Sequence, residues 1–451
     1  MNNHSIAAIL LAAGQGTRMK SRHPKVMHGL AGRPMILHLT DMLARLRVER
    51  SVVVVGPDME EVGRRIAPIP TVLQQDRLGT AHAVLQARPQ LDGFDGTVLI
   101  LYGDTPLISA KTIERMLACR RDKPHPAVVV LGFRPIDPAE YGRLMVGPDG
   151  LLAVVEFKDA TPEQRAVTLC NSGVMAVDGK ALFRLAEKIG NDNAKGEYYL
   201  TDIVGLAVEE GLKAGYVEAD PEELLGVNSR AELAAAEAVI QRRLRRSVMA
   251  GGATLTDPDS VYLSWDTEIG QDVTIGPNVV FGPGVRVGDD VEIRPFCHLE
   301  GVKVESGVSI GPFARLRPGA VIESGAHIGN FVEIKNAIVE QGAKVNHLTY
   351  VGDARIGAKA NLGAGTITCN YDGFGKYRTE VGAGAFIGSN SALVAPVSVG
   401  DGAIVGAGSV ITKDVAAGAL AVGRGSQMEL PGWADRFREK KKAERKNENQ
   451  G

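Results

Sequence analysis

The sequence predicts an α/β domain with a mainly parallel sheet, then a linker helix, then a left-handed parallel β-helix. In the second half of the chain an aliphatic residue recurs at every sixth position, as in Ile310, Leu316 and Ile322. In the first half, strand-length apolar runs alternate with helical patterns. A period of six is typical of hexapeptide β-helices, and strand–helix alternation is typical of parallel sheets.

The alternation of strand-length runs and helical patterns occupies residues 1–228. Apolar runs such as Ile6–Leu11 and Thr97–Leu101 have the length of buried strands. Helical patterns such as Pro34–Leu46 and Ala81–Ala87 separate them. This alternation implies a mainly parallel sheet with helices on both faces.

Residues 229–250 predict one long helix that joins the two domains. Ser229 followed by Glu232 forms a plausible capping box at its start. An apolar stripe runs along the segment, and the pair Gly251 and Gly252 ends it.

The β-helix domain is expected over residues 251–430. Three hexapeptides complete one triangular coil, with the aliphatic side chains pointing inward. The segment Cys369–Glu380 breaks the six-residue register, and loops that leave a rigid scaffold often carry function. Residues 431–451 form a tail rich in Lys, Arg and Glu, whose start is compatible with a short helix.

Composition and charge exclude several classes of protein. A chain of 451 residues with a net charge of -2 gives no basis for nucleic-acid binding. The 4 cysteines are scattered and form no CxxC pair, so neither a zinc site nor a disulfide framework is expected. No stretch has the length of a signal peptide or of a membrane span. These features predict a cytoplasmic protein that does not contact membranes.

A glycine-rich segment follows the first strand directly. It reads Leu-Ala-Ala-Gly-Gln-Gly-Thr-Arg-Met over residues 11–19, with Pro24 and Lys25 downstream. The spacing matches neither a Walker A loop nor a dinucleotide-binding fingerprint. What remains is a turn whose backbone N–H groups can cradle phosphates, with Arg18 and Lys25 to neutralise them. Taken alone, such a segment is often only a turn.

Together with segments further along the chain, this string resembles the signature of sugar-1-phosphate nucleotidyltransferases, which have a Rossmann-like fold. Taken alone, Asp104 could instead cap a helix and Asn228 could be a turn residue. The resemblance implies that Asp104 and Asn228 bind Mg²⁺ and that the nucleotide and sugar are bound by Leu11, Ala12, Ala13, Gly14, Lys25, Gln74, Gly79, Thr80, Tyr102, Asp104, Gly142, Glu156, Asn171 and Asn228.

The chemistry that the resemblance implies is a displacement at phosphorus. An oxygen of a sugar-1-phosphate attacks the α-phosphorus of a nucleoside triphosphate, and pyrophosphate leaves. Because negative charge builds up on the phosphoryl oxygens, positioning and electrostatic stabilisation do most of the work. Arg18 and Lys25 are the catalytic candidates for this role.

Polar residues interrupt the β-helix where its coils otherwise contain small or aliphatic residues. His347 is the candidate general base, because imidazole is the side chain best suited to accept a proton near neutral pH. Most lone histidines are structural, but Asn346, Tyr350 and Asn361 lie at coil-related spacings from this one. The cations Arg317 and Lys335 suit a sugar phosphate, and their alternative is solvated charge on a coil face.

These segments, including the string Ile-Thr-Cys-Asn-Tyr-Asp-Gly from residue 367, resemble the bifunctional bacterial N-acetylglucosamine-1-phosphate uridyltransferases/glucosamine-1-phosphate acetyltransferases over essentially the whole chain. The resemblance implies UTP and acetyl-CoA as co-substrates and an oxyanion-stabilising N–H near Ala364. It implies that the amino sugar phosphate is bound by Arg317, Lys335, Tyr350, Asn361 and Lys376, and acetyl-CoA by Ala364, Asn370, Tyr371, Ser389, Ala407 and Arg424.

The family's reactions acetylate glucosamine-1-phosphate and then couple N-acetylglucosamine-1-phosphate to UTP, giving UDP-N-acetylglucosamine for peptidoglycan and lipopolysaccharide. The resemblance also implies a homotrimer. Two alternatives stay open at this point. One is a monofunctional nucleotidyltransferase whose β-helix senses an effector, and the other is an assembly protein that keeps both folds without catalysis.

Overall fold

A computed structural model describes residues 5–448, and their side chains as far as Arg445. The remaining terminal residues, including the last three of the predicted tail, lie outside the described part. The chain divides into two compact units. The first extends to Ser247 and includes Leu263–Trp265, and the second contains the rest.

The first unit is built on a mainly parallel sheet. Nine of its strands form this sheet in the order β11-β7-β10-β6-β1-β4-β5, with the hairpin β8–β9 branching from β10, while β2 and β3 pair with each other. The antiparallel members are β10 and the hairpin. The described strands are β1 Ile6–Leu11, β2 Gly29–Leu30, β3 Arg33–Pro34, β4 Arg50–Val55, β5 Thr71–Leu73, β6 Thr97–Tyr102, β7 Val128–Phe133, β8 Arg143–Gly147, β9 Gly150–Val155, β10 Cys170–Asp178 and β11 Ala214–Ala219.

Helices cover both faces of the sheet, and this confirms the predicted α/β class. Along β6, Leu99 and Leu101 face one core while Val98 and Ile100 face the other, and all four side chains are fully buried. Burial on both faces explains why this strand is apolar throughout. The helices are α1 Met35–Arg45, α2 Glu60–Ile66, α3 Thr80–Gln86, α4 Ala110–Arg121, α5 Pro162–Arg165, α6 Gly179–Ala186, α7 Ile203–Glu209 and α8 Arg230–Ala250.

The long helix α8 packs against the first unit. The Oγ of Ser229 accepts a hydrogen bond from the backbone N of Glu232 at 3.3 Å. The Glu232 carboxylate reaches back and accepts from the backbone N of Asn228 at 2.9 Å. Further along, Ala236 and Val239 are buried in a small apolar cluster. The start of the helix therefore fixes the backbone of Asn228.

The second unit is a parallel β-helix with three faces. One face is the ladder β12-β14-β17-β20-β23-β25-β27-β30-β33-β35, and the long strands β24 and β26 join the other two faces. A terminal helix, α9 Trp433–Glu448, follows the coils. The strands are β12 Thr254–Leu255, β13 Glu268–Ile269, β14 Thr274–Ile275, β15 Val280–Phe281, β16 Arg286–Val287, β17 Glu292–Ile293, β18 His298–Leu299, β19 Lys303–Val304, β20 Ser309–Ile310, β21 Arg315–Leu316, β22 Val321–Ile322, β23 His327–Asn330, β24 Glu333–Val339, β25 Lys344–His347, β26 Tyr350–Ile356, β27 Asn361–Leu362, β28 Ile367–Cys369, β29 Thr379–Val381, β30 Phe386–Ile387, β31 Ala392–Val394, β32 Val397–Val399, β33 Ile404–Val405, β34 Val410–Ile411 and β35 Leu420–Ala421.

Aliphatic side chains stack inside the coils as the six-residue period predicts. Ile293 lies opposite Ile310, which lies opposite Ile328, and each is at most 1% exposed. The stack continues through Val345 and Leu362, beyond the five-residue steps that the long strands β24 and β26 introduce into the period. The coil is therefore continuous through the region that carries the polar residues.

Within residues 5–448, the helices all lack the combination of length and apolar character that crossing a membrane requires.

Candidate active sites

The glycine-rich loop leaves β1 beside the end of β6. These strands are parallel neighbours, with Leu11 opposite Tyr102, and the backbone N of Gly103 donates to Leu11 O at 2.9 Å. Because parallel strands end at the same edge of a sheet, both following segments border one cavity of about 260 Å³. The predicted residues that line this cavity are Leu11, Ala12, Ala13, Gly14, Lys25, Gln74, Gly79, Thr80, Tyr102 and Asp104.

Lys25 joins the two predicted cation ligands. Its Nζ lies 2.5 Å from Oδ2 of Asp104 and 2.9 Å from Oδ1 of Asn228. The side chains of Lys25 and Asp104 are only 11% and 21% exposed. Asp104 does not cap α4, because Ser109 does so by accepting from the backbone N of Thr112.

The oxygens around Lys25 fit a divalent cation. A positive ammonium group already occupies the space where a carboxylate oxygen and an amide oxygen converge. Oxygen atoms are the ligands that Mg²⁺ prefers, and it commonly uses one or two protein groups with water and substrate phosphates. The described residues contain no group of three or more His, Cys, Asp or Glu that could hold a metal by itself. A cation bound here would therefore be coordinated by these protein oxygens together with oxygens of a bound phosphate.

Gln74 is oriented to accept a hydrogen bond from a ligand. Its side chain is buried, and its amide nitrogen lies 3.1 Å from the carbonyl oxygen of Gly79 and 3.1 Å from Nδ1 of His82. Since both amide hydrogens have partners, the amide oxygen remains available. An acceptor at this place suits the ring N–H of a base such as uracil.

The predicted sugar-binding residues gather on the β8–β9–β10 side. A Cβ atom on Gly142 would lie 3.4 Å from both carboxylate oxygens of Glu156. The backbone N of Asn171 donates to Gly142 O at 2.8 Å. Burial raises the pKa of Glu156, partly offset by a hydrogen bond from Thr201. Burial, and then the charges of Glu156 and Asp104, raise the pKa of Tyr102, so its hydroxyl stays protonated.

Arg18 and Arg77 differ in their positions. Arg18 is exposed on the short helix Thr17–Met19 and is not among the residues lining the cavity. Arg77 lines the cavity, and its Nε donates to the carbonyl oxygen of Ala13 at 2.7 Å. Arg77 was not predicted from the sequence, although it stands between the predicted Gln74 and Gly79. Val26, Ala83 and Glu197 also line the cavity and were missed.

In the second unit, His347 is paired with Asn330 one coil away. The two residues lie opposite each other in the β23–β25 ladder. Nδ1 of His347 lies 2.7 Å from Oδ1 of Asn330. An amide oxygen can only accept, so this contact places the ring proton on Nδ1 and leaves Nε2 as the basic atom. His347 is exposed, so Nε2 can reach a substrate.

A cationic cluster lies on the strands that follow the next corner. The backbone N of Arg317 donates to Ile334 O, which places it beside Lys335. The neighbouring Lys376 ammonium lowers the pKa of Lys335, first through a hydrogen bond and then through charge repulsion. An anion bound between two ammonium groups this close would relieve their repulsion.

Tyr350 and Asp353 border the same cluster. Lys335 pairs with Gly352 in the ladder, and a Cβ on Gly352 would lie 2.3 Å from the Tyr350 hydroxyl. Asp353 accepts from the Nδ2 of Asn370 at 2.5 Å, which holds the ejected loop against the coil.

The ejected loop covers residues 370–378, between β28 and β29. Asn370 is buried, whereas Tyr371 is 61% exposed and donates to Gly373 O at 2.6 Å. Asn361 begins β27 opposite Lys344, on the same face as the His347 strand.

Four of the six predicted acetyl-CoA residues, all except Asn370 and Tyr371 of the ejected loop, form one line along the β-helix. The backbone N of Gly365 donates to His347 O, that of Asn390 to Ala364 O and that of Gly408 to Ser389 O. Nη1 of Arg424 then donates to Ala407 O at 2.5 Å. Successive coils therefore place these predicted residues side by side in the order His347, Ala364, Ser389, Ala407 and Arg424.

Two domain families match the chain, one in each unit. The MobA-like NTP transferase domain matches residues 8–156. The bacterial transferase hexapeptide family matches residues 266–301, 301–336 and 378–413. The gap after residue 336 contains β25, β26 and the ejected loop, where the polar residues replace the repeat pattern. These matches agree with the predicted Rossmann-like domain and left-handed β-helix.

Curated relatives match over nearly the full length. The bifunctional protein GlmU of Paramagnetospirillum magneticum is 66% identical over 99% of this chain and 99% of its own. The bifunctional protein GlmU of Rhodospirillum rubrum is 67% identical over 96% of this chain and 97% of its own. That of Azorhizobium caulinodans is 57% identical over 97% and 98%. With an NTP transferase unit and a hexapeptide transferase unit in one polypeptide, this chain belongs to the GlmU family of bifunctional enzymes.

Proposed function

We propose that the chain acetylates glucosamine-1-phosphate with acetyl-CoA and transfers UMP from UTP to the resulting N-acetylglucosamine-1-phosphate. The observation that carries the proposal is the joint presence of two separate catalytic arrangements. Lys25 with Asp104 and Asn228 forms one, and His347 with Asn330 forms the other.

For uridyl transfer, the loop residues Ala12–Gly14 present backbone N–H groups to the nucleotide. The amide oxygen of Gln74 accepts from the uracil ring, which selects a base with a ring N–H donor. Lys25 holds the phosphates in line with the attacking oxygen, and Arg18 stabilises the departing pyrophosphate once the loop closes on it. Glu156 and Asn171 bind hydroxyls of the sugar.

Asp104 and Asn228 would hold Mg²⁺, which neutralises the charge that develops on the phosphate oxygens. In the structure the Lys25 ammonium takes this position between the two oxygens. We therefore expect Lys25 to turn from Asp104 towards the nucleotide phosphates when the cation and UTP bind. The ion pair keeps the Lys25 side chain close by until then.

For acetyl transfer, Nε2 of His347 takes a proton from the ammonium form of glucosamine-1-phosphate and leaves a neutral amine. The amine attacks the thioester carbonyl carbon and forms the carbon–nitrogen bond, and the carbon–sulfur bond breaks. The nitrogen loses its second proton, the sulfur takes up a proton, and coenzyme A leaves as the thiol. Lys335, Lys376 and Arg317 bind the sugar phosphate, with the hydroxyl of Tyr350.

Acetyl-CoA lies along the line of residues that begins at His347. A backbone N–H near Ala364 stabilises the oxyanion, because it is the next coil position after the base. Ser389 and Ala407 contact the extended part of the cofactor, and Arg424 binds a CoA phosphate. Asn361, Asn370 and Tyr371 complete the site from the adjoining coil and the ejected loop.

A homotrimer is proposed because the β-helix exposes an apolar ridge beside the His347 site. The rings of Phe296, Phe313 and Phe331 stack with centroids 4.9 and 5.1 Å apart, and Leu348 extends the row. Their exposures are 51%, 45%, 55% and 63%. Burying this ridge against another copy removes apolar surface from water. We also propose that the enzyme acts in the cytoplasm, as the sequence predicts.

Two assays on the intact protein test the proposal. One measures thiol release from acetyl-CoA with glucosamine-1-phosphate, and the other measures pyrophosphate release from UTP with N-acetylglucosamine-1-phosphate and Mg²⁺. Activity in both is expected. Pyrophosphate release without thiol release would reduce His347 to a structural histidine, and activity in neither assay would overturn the proposal.

A further inference from the structure

A second cavity of the first unit has no role in the proposed chemistry. It encloses about 300 Å³ and is bounded by α1, the start of α4, α8 and the indole of Trp265. None of its lining residues lines the nucleotide cavity.

The cavity carries an excess of positive charge. Among the described residues that line it, Asp41 is the sole carboxylate. Both of its oxygens are taken by Arg33, with Nη2 to Oδ1 at 2.8 Å, and the Arg33 guanidinium stacks 3.9 Å from the centre of the Trp265 ring. The charges of Arg45 and Arg243 are left without a lining carboxylate.

Guanidinium donors remain available for a ligand. Arg243 uses Nη1 to donate to the carbonyl oxygen of Leu107 at 2.6 Å, which occupies one of its five N–H groups. Arg45 ends α1 and is exposed. Burial lowers the pKa of His38, so the ring is neutral at pH 7 and adds no charge. The N-terminus of α4 is already capped, because Ser109 Oγ accepts from the backbone N of Thr112 at 3.2 Å.

We propose that this cavity binds a small phosphorylated anion through Arg45 and Arg243. Guanidinium groups form paired, charge-assisted hydrogen bonds with phosphate, and two of them on facing helices match a single phosphoryl group. The indole of Trp265 beside them offers an apolar wall for the remainder of such a ligand. The site goes beyond the proposed function and does not depend on it.

The cavity lies next to segments that also carry residues of the uridyl-transfer site. Leu107, which Arg243 contacts, follows Asp104 by three residues, and α8 begins just after Asn228. The backbone N of Val227 donates to Asp104 O at 2.8 Å, so the two segments are already joined. A bound anion would hold α8 and this segment together, which makes the cavity suited to regulate the affinity for the catalytic cation.

The fluorescence of Trp265 provides a local test. The chain has 2 tryptophans, so Trp433→Phe leaves Trp265 as the only indole signal. The intact Trp433→Phe protein is titrated with inorganic phosphate, against potassium chloride at equal ionic strength. A saturable change with phosphate alone is expected. Arg45→Gln should weaken it about tenfold, the factor expected for losing one charge-assisted hydrogen bond.

Control variants separate the site from general effects. Arg45→Gln combined with Arg243→Gln should abolish the response, while Arg64→Gln, an exposed arginine on α2, should leave it unchanged. Circular dichroism of each variant checks that the fold is retained. An equal response to chloride, no saturable response, or an equal response in all correctly folded variants would overturn the proposal. None of these outcomes depends on catalytic activity.

Discussion

The ammonium of Lys25 lies 2.5 Å from Oδ2 of Asp104, in a part of the first unit where both side chains are mostly buried. The two residues are far apart in the sequence and come together because β1 and β6 are parallel neighbours. A partly buried ion pair is costly to break on one side only, because the remaining charge loses its partner. The ion pair therefore holds the Lys25 side chain beside the place where we expect the nucleotide phosphates and the cation to bind.

Asp104→Asn should impair uridyl transfer through the cation. Removing the carboxylate charge leaves only neutral oxygens near Lys25, so the concentration of Mg²⁺ needed for half-maximal pyrophosphate release should rise about tenfold or more, as for loss of one charged ligand. Thiol release should stay unchanged. Asp149→Asn, at an exposed position of the same unit, is the control. An unchanged Mg²⁺ requirement would remove Asp104 from the cation site.

Arg77→Ala should weaken UTP binding. Arg77 supports the glycine-rich loop by donating to the carbonyl oxygen of Ala13. Without this bond the loop is less well ordered, and KM for UTP should rise about tenfold, the cost of one charge-assisted hydrogen bond. Arg77→Lys should recover part of the loss because it restores one donor. The measurement is pyrophosphate release at varied UTP, with Arg64→Ala as control, and equal KM values in all variants would exclude the supporting role.

Asn330→Ala should lower acetyl transfer by releasing His347. The amide oxygen of Asn330 sets which ring nitrogen is basic, so kcat for thiol release should fall about 10- to 100-fold. Asn330→Asp should retain most of the activity, because a carboxylate oxygen can also accept from Nδ1 and so keeps the orientation of the ring.

Ser309→Ala is the matched control for Asn330. Ser309 contacts Nδ1 of His327 at 2.9 Å in the same groove, in the same geometry, but away from the proposed base. Its removal should leave thiol release and its pH profile unchanged. A similar loss in both variants would mean that the groove as a whole, and not the His347 orientation, limits the reaction.

The periodicity of the sequence was sufficient to predict most of the fold. The six-residue beat predicts the coils because each inward position, such as Ile310 or Ile328, must be aliphatic to fill the interior. Between Ile334 and Val339 the spacing falls to five residues, since β24 runs straight through a corner. The six-residue spacing then resumes through Val345 and Val351, and after a second five-residue step in β26 it continues from Ile356 to Leu362.

Candidate site residues that belong to characteristic sequence motifs could be predicted from the sequence. Single residues that position the site residues could not. Asp104 and the glycine-rich loop follow two strands, so sheet topology brings them together. Arg77 acts on a backbone carbonyl 64 positions away, and Asn330 acts on His347 17 positions away. The first separation has no periodic signal. The second is one coil length, a signal that could have identified Asn330.

Gly352→Ala should disturb the sugar-phosphate site without unfolding the coil. The added Cβ would lie 2.3 Å from the Tyr350 hydroxyl and 2.9 Å from Nδ2 of Asn370, so both side chains must move. We expect a rise of about tenfold in KM for glucosamine-1-phosphate, the cost of one lost hydrogen bond to a charged group. Pyrophosphate release should be unaffected. Gly205→Ala, where nothing lies within 4 Å, is the control, and an unchanged KM would show that Tyr350 does not bind the substrate.

Lys376→Met should weaken acetyl transfer without lowering the stability of the protein. The Lys376 ammonium lowers the pKa of Lys335 below its ordinary value of 10.5, so folding disfavours the charged form of Lys335. This destabilising effect is fully present below the folded-state pKa and disappears as the pH rises towards 10.5. At pH 7 the variant should therefore unfold at the same temperature as the parent or higher, and at pH 10.5 the difference should shrink.

The same substitution removes one of the three cations that are proposed to bind the sugar phosphate. KM for glucosamine-1-phosphate at pH 7 should rise about tenfold, the usual effect of losing one charge-assisted contact to phosphate. Lys413→Met, at an exposed position of the β-helix, should change neither KM nor the melting temperature. A cation that binds phosphate and lies against Lys335 should lower the stability of the protein and raise its affinity for the substrate. If Lys376→Met instead lowers the melting temperature and leaves the KM for glucosamine-1-phosphate unchanged, Lys376 acts as a structural residue.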